Sequence, residues 1–436
     1  MYTLMIALFV LGYAAIAFEH SIKIDKAASA LITGVVLWSV YVLGGADLHT
    51  AEHHLLEHVG EIASILFFLL GAMTIVEVVD AHQGFSVITD RIKTDQTVVL
   101  LWILGWLTFF LSAVLDNLTT AIVMVSLIRK LVKDQQLRWV FGGIIIIAAN
   151  AGGAWSPIGD VTTTMLWIGG YVSTGTLVSY IFLPSVAVLL APLLYLTFTL
   201  KGRFERPESH EQHGHHVTVT ASEKTRALVV GIGGLLFVPV FKTVTHLPPF
   251  MGMMLSLGVM WVVTDLMHRR KIDTVRSELG ILGVIRRIDT PSVLFFLGIL
   301  LAVASLQTAG QLKDLASGLD SAFDTTTQMG VYLVGGIIGV LSAIIDNVPL
   351  VAAAMGMYDM VPGTYFAQDD FFWKYLAFTA GTGGSILIIG SAAGVAVMGL
   401  EKIPFGWYLK KISFLALLGY LAGIAVYAVQ RWIIFG

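Results

Sequence analysis

A short phrase occurs twice in this chain, as Ser112-Ala113-Val114-Leu115-Asp116-Asn117 and as Ser342-Ala343-Ile344-Ile345-Asp346-Asn347, both times inside sequence as apolar as a bilayer interior. An ionised aspartate at that depth is costly, so an acid beside an amide there marks a functional site rather than a decoration. The chemistry open to such a pair is ion binding. A carboxylate withdrawn from water holds a proton more readily, and carboxylate, amide and hydroxyl oxygens together suit a hard cation. One carboxylate can take either a proton or a metal ion but not both, and competition of that kind yields exchange.

Two further stretches supply partners. Ala149–Asp160 and Ala380–Ser391 are glycine-rich, match at five of twelve positions, and follow the two phrases at a similar distance. Gly152, Gly153, Gly159, Gly381, Gly383, Gly384 and Gly390 are expected to open the helical backbone and free its carbonyls, and Pro157 removes one donor. Pro349, three positions after Asp346, fits the first turn of a helix that restarts at the phrase. The expected ion ligands are Asp116, Asn117, Asn150, Asp160, Asp346, Asn347, Thr382 and Ser385, with Asp116 and Asp346 as proton carriers and Glu77 as a second ligand or relay. Plainer roles exist for each. Asp116, Asp160 and Asp346 could only cap half-helices, Asn117 and Asn347 could satisfy backbone groups, the threonines and serines could bond to backbone, and Glu77 could snorkel to the surface. Nothing resembles a cofactor pattern; the ions are cargo.

Long apolar runs must position these residues. With 56% hydrophobic against 13% charged residues and a mean hydropathy of +0.83, the chain is a multi-span membrane protein. The absence of cysteine excludes thiolate chemistry. Apolar runs near 1–18, 27–44, 61–80, 138–175, 178–200, 226–244, 249–267, 291–307, 372–400 and 405–430 predict ten spans, those at 138–175 and 372–400 broken. The segments at about 97–133 and 329–358, each with the phrase near its middle, predict re-entrant hairpins. This layout puts 22 of the 26 Lys and Arg on one side, the cytoplasmic one by the positive-inside rule, and both termini outside. Leu66–Leu69 recurs at Leu294–Leu297, and Leu111–Asn117 at Leu341–Asn347, at offsets of 228 and 230 residues. The fold expected is therefore all-α and polytopic: repeat 1 over 1–200, a His-rich linker over 201–225, and an inverted repeat 2 over 226–436. Residues 81–96, 268–290 and 311–328 are expected to lie along the interface. Histidines gather in an outer loop (His49, His53, His54, His58) and in the inner linker (His210, His213, His215, His216), where solvated polar loops are the simplest reading.

On the paired phrases, the opening Leu11–His20 and the stretch Asn150–Asp160, the chain resembles the NhaD-type sodium/proton antiporters of the ion transporter superfamily. The resemblance implies export of sodium or lithium against protons, a homodimer in a bacterial cytoplasmic membrane, and an elevator-like movement of hairpins and broken helices. Superfamily members that carry dicarboxylates look like Ser-Asn-Thr at the hairpin tips, where this chain has Asp116 and Asp346, which supports a cation. Two other functions compete: a sodium-coupled anion or arsenite transporter of the same superfamily, and an intramembrane aspartyl protease, against which stand Asn117 and Asn347 and the lack of a protease motif. The chain is expected not to be an enzyme and not to bind nucleic acid.

Overall fold

Inside a bilayer only bonding within the segment satisfies a lone backbone, so apolar runs of this length fold as helices. The computed structural model describes residues 1–207, 219–269, 271 and 278–435; among these it is helical apart from turns and one isolated bridge, Gln96 to Arg203. The four inner-linker histidines, His210, His213, His215 and His216, lie outside the described residues.

The first half carries α1 (Tyr2–Ala17), α2 (Glu19–Ile22), α3 (Lys26–Leu43), α4 (Leu48–Ala81), α5 (Ser86–Thr89), α6 (Thr97–Ser112), α7 (Asn117–Leu131), α8 (Gln135–Ala154), α9 (Val161–Ile168) and α10 (Thr174–Thr199). The second carries α11 (Ala221–Thr245), α12 (Pro249–His268), α13 (Ile281–Ile285), α14 (Thr290–Thr308), α15 (Gln311–Phe323), α16 (Gln328–Leu341), α17 (Asn347–Met357), α18 (Phe371–Gly383), α19 (Ala392–Glu401), α20 (Phe405–Lys411) and α21 (Ser413–Phe435). Among the described residues eight helices are long and apolar enough to cross a membrane singly: α3, α4, α8, α10, α11, α12, α14 and α21. The expected ten included 1–18, where α1 has 16 residues, and 372–400, which divides into α18 and α19 of 13 and 10.

The chain breaks at four places, between α6 and α7, α8 and α9, α16 and α17, and α18 and α19. Two expectations need correction here. Gly152, Gly153, Gly381 and Gly383 lie within α8 and α18 rather than in opened backbone. Their use is close approach: a Cβ on Gly152 would stand 2.1 Å from the Phe109 carbonyl oxygen, and one on Gly383 would stand 2.0 Å from that of Gly339. Nor do the outer histidines form a loop. Asp47 accepts the Thr50 N–H at 2.9 Å and starts α4 at Leu48, so His49, His53, His54 and His58 occupy its first three turns.

The halves make matching contacts. The Ser112 hydroxyl donates to the Ala149 carbonyl at 2.6 Å, and the Ser342 hydroxyl donates to that of Ala380 at 2.8 Å. These serines and the Gly152 and Gly383 crossings pin α6 against α8 and α16 against α18. Every residue of α18, and every residue of α8 from Phe141 onward, is buried. Across the halves, α3 and α14 cross backbone to backbone at Gly34 and Gly298, and the Trp38 indole N–H donates to the Leu301 carbonyl at 3.0 Å. A second joint lies at the end of α19. Buried Glu401 receives Arg129 Nε at 2.6 Å and Arg138 Nε at 3.0 Å, so the first half's α7 and α8 are tied to the second half's α19.

Candidate functional site

Each break restarts a helix, and a restarting helix leaves N–H groups without partners. Polar side chains take them. Asp116 accepts the Thr119 N–H at 2.7 Å and the Thr119 hydroxyl at 2.6 Å; Asp160 accepts the Thr162 N–H at 3.0 Å and its hydroxyl at 2.9 Å. Asp346 accepts the Val348 N–H at 3.1 Å, and the Ser391 hydroxyl accepts that of Gly394 at 3.2 Å. The capping role weighed from sequence is therefore present in all three aspartates. It does not exhaust them, because an ionised carboxylate has more lone pairs than a cap uses.

The four restarted helices aim their N-termini at one narrow cavity of about 50 Å³. Its wall is drawn from matching positions of the two halves: Phe68 and Phe296, Asp116 and Asp346, Asn117 and Asn347, Leu118 and Val348, Val161 and Ala392. Helix N-termini alone would favour anions. Three aspartates, Asp116, Asp160 and Asp346, stand at these N-termini and reverse the sign.

A buried network runs from the cavity into the core. The Asn117 amide nitrogen lies 3.1 Å from Asp160 Oδ2 and 3.1 Å from Asn150 Oδ1, donating to both. The Asn150 amide nitrogen in turn donates to Ser385 and Ser391 hydroxyls, each at 2.9 Å. Asn150 thus holds first-half and second-half breaks in register, and its two serines belong to the other half. Ser391, offered by sequence only as the counterpart of Asp160, is a member of this network.

Two candidates stand elsewhere. The Thr382 hydroxyl donates to the Phe378 carbonyl at 2.7 Å inside α18 and does not line the cavity. Glu77 lines a separate vestibule of about 430 Å³ that adjoins the cavity, along with Glu19, Asp25, Asp80, Asp289 and Arg287. Lys26, which the sequence showed only as one of many basic residues at a helix end, lines both spaces. Its signal was faint: a lysine opening an apolar helix is ordinarily a snorkelling residue. The outer histidines make separate contacts: His58 Nε2 lies 3.2 Å from the Thr308 hydroxyl, while His54 Nδ1 lies 3.8 Å from Glu57.

A membrane-spanning helical protein whose broken helices gather acids around an ion-sized cavity belongs to the secondary transporters. The profile of the citrate transporter family, CitMHS, matches residues 13–381. Sodium/proton antiporter 1 of Arabidopsis thaliana is 51% identical over 430 residues, covering 97% of this chain and 71% of that protein. Sodium/proton antiporter 2 of the same plant is 47% identical, covering 97% and 98%. The Na(+)/H(+) antiporter NhaD of Vibrio cholerae is 30% identical, covering 96% and 90%. The chain belongs to the NhaD-type antiporters of the ion transporter superfamily, within the reach of the CitMHS profile.

Proposed function

We propose that the protein exchanges sodium, and lithium as its smaller analogue, for protons at the cavity walled by Asp116, Asn117, Asp160, Asp346 and Asn347. The observation that carries this reading is the meeting of three aspartates from both halves around one space of about 50 Å³. Asp116 and Asp346 are assigned as the groups that hold either cation or proton, with Asn117, Asn150, Asp160, Asn347 and Ser385 setting ligand geometry. Asn150 and Ser385 act through the network rather than from the wall. Glu77, in the vestibule, is assigned as a relay rather than a ligand, and Thr382 is left as part of the helix. If more than one proton enters per sodium, the membrane potential contributes about 2.3 kcal/mol per charge per 100 mV.

The CitMHS match and Lys26 raise the second reading, an anion carried with sodium. Three acids against a single lysine in the cavity wall oppose it, because a carboxylate substrate would face net repulsion.

The finer architecture is proposed in the same sense. The breaks between α6 and α7 and between α16 and α17 are assigned to re-entrant hairpins, and the two halves to inverted repeats that work as a homodimer by elevator-like movement. Matching contacts at offsets of 230 and 231 residues support the duplication. The basic loops are placed in the cytoplasm and the termini outside, in a bacterial cytoplasmic membrane. Relatives in a plant mean that this kind of sequence is not confined to bacteria.

The test uses everted vesicles with an acid interior. Added sodium should dissipate the gradient through the wild-type protein, and Asp116→Asn and Asp346→Asn should each abolish the response. Wild-type activity in both variants would remove these acids from the mechanism.

A further inference from the structure

Two charges break the symmetry of the cavity wall: Asp160, matched by Ser391, and Lys26. The other half has no lysine to match Lys26, which is the only basic side chain lining the cavity among the described residues. Its ammonium lies 3.8 Å from Asp346 Oδ2 and 4.5 Å from the centroid of the Phe295 ring. The root of the side chain is fixed. Asp25 accepts the Ala27 N–H at 2.8 Å at the start of α3, and the Lys26 N–H donates to Glu19 Oε2 at 3.2 Å. The far end is less constrained, since 3.8 Å is well beyond a charge-assisted hydrogen bond of about 2.8 Å. The same side chain also lines the acidic vestibule, so its four-carbon stem stands between two sets of carboxylates.

We propose that the Lys26 ammonium is a resident counter-cation, which neutralises Asp346 while the site holds no sodium and gives up that carboxylate when sodium enters. The inference rests on the assignment of the cavity as the sodium site. Two consequences follow from the placement. Sodium binds against an intramolecular competitor, so the lysine weakens apparent sodium affinity. The lysine also sits on α3, which is locked to α14 by the Gly34–Gly298 crossing, whereas Asp346 sits at the break between α16 and α17. The ion pair therefore adds a charge contact to the packing between that break and the α3–α14 pair until a sodium ion or proton neutralises Asp346. An empty carrier keeps that contact, and a loaded one loses it.

The experiment measures sodium-driven proton flux in proteoliposomes at fixed pH across sodium concentrations. Lys26→Gln is expected to lower the half-saturating sodium concentration by about twofold to fivefold, the range of a partly exposed ion pair, while Lys26→Arg stays near wild type. Purified protein gives a readout independent of turnover: the sodium concentration that half-stabilises it against heat should fall by the same factor. Loss of a merely structural lysine would leave half-saturation unchanged or raise it, and either result in folded Lys26→Gln overturns the proposal. Should that variant not fold, Lys26→Met, which keeps the apolar stem, is read by the same criteria. A wild-type protein that moves no sodium would instead overturn the assignment of the site, so the two failures are distinguishable.

Discussion

Asp160→Ser separates capping from ion binding, because the second half has already made that replacement. At the matching position Ser391 caps α19 through Gly394 at 3.2 Å without a charge. Serine and aspartate are near-equal caps, so a serine at 160 should keep α9 started. The change forfeits the charge-assisted bond from the Asn117 amide at 3.1 Å, worth about 1.5–3 kcal/mol. Total destabilisation should therefore stay at about 2–3 kcal/mol, and the protein should purify folded. The charge is a different matter. A unit charge even 4 Å from a bound cation is worth about 4 kcal/mol at an effective dielectric constant of about 20, and each 1.4 kcal/mol is about tenfold in affinity. Half-saturating sodium should therefore rise by about a thousandfold. A fluorescent pH-gradient probe in everted vesicles, titrated with sodium, reads that constant, and thermal unfolding in detergent reads the stability. If Asp160→Ser kept half-saturation within about threefold of wild type, Asp160 would be a cap alone and the charge argument for this cavity would fail.

Other outcomes follow from packing and ion pairing. Gly152→Ala and Gly383→Ala should each reduce the yield of monodisperse protein sharply, since the new Cβ would meet a carbonyl oxygen at 2.1 Å or 2.0 Å and neither backbone can yield easily; gel filtration of the fluorescent fusion checks this. Glu401→Gln should cost about 2–3 kcal/mol, below the about 3–5 kcal/mol of a fully buried pair because the Arg129 side chain is 46% exposed. Thermal unfolding measures it, and an unchanged midpoint would mean that Glu401 does not join α19 to α7 and α8.

The linear sequence carried the class of this protein and most of the candidate site. Acids in apolar surroundings are rare enough to be read singly, and the recurrence of the phrase let Asp116 and Asp346 vouch for each other. The four breaks were legible for the same reason, since glycine and aspartate interrupt an apolar run visibly. What the glycines do there was not legible. Whether a glycine opens a backbone or admits a neighbour depends on what stands across from it, so Gly152 and Gly383 read as openings in the helix until Phe109 and Gly339 were in place. The helical start of α4 was hidden by histidines that read equally well as loop.

Residue identity and spacing thus determined that two acidic phrases lie within apolar segments, because the cost of an acid in such surroundings is local to its own segment. Tertiary structure decided which polar groups meet. Asn150 reaching Ser385 and Ser391 across 235 and 241 residues, and Lys26 reaching Asp346 across 320, are products of helix crossings that no periodicity records. Capping is written in the chain; coordination depends on how separate helices pack.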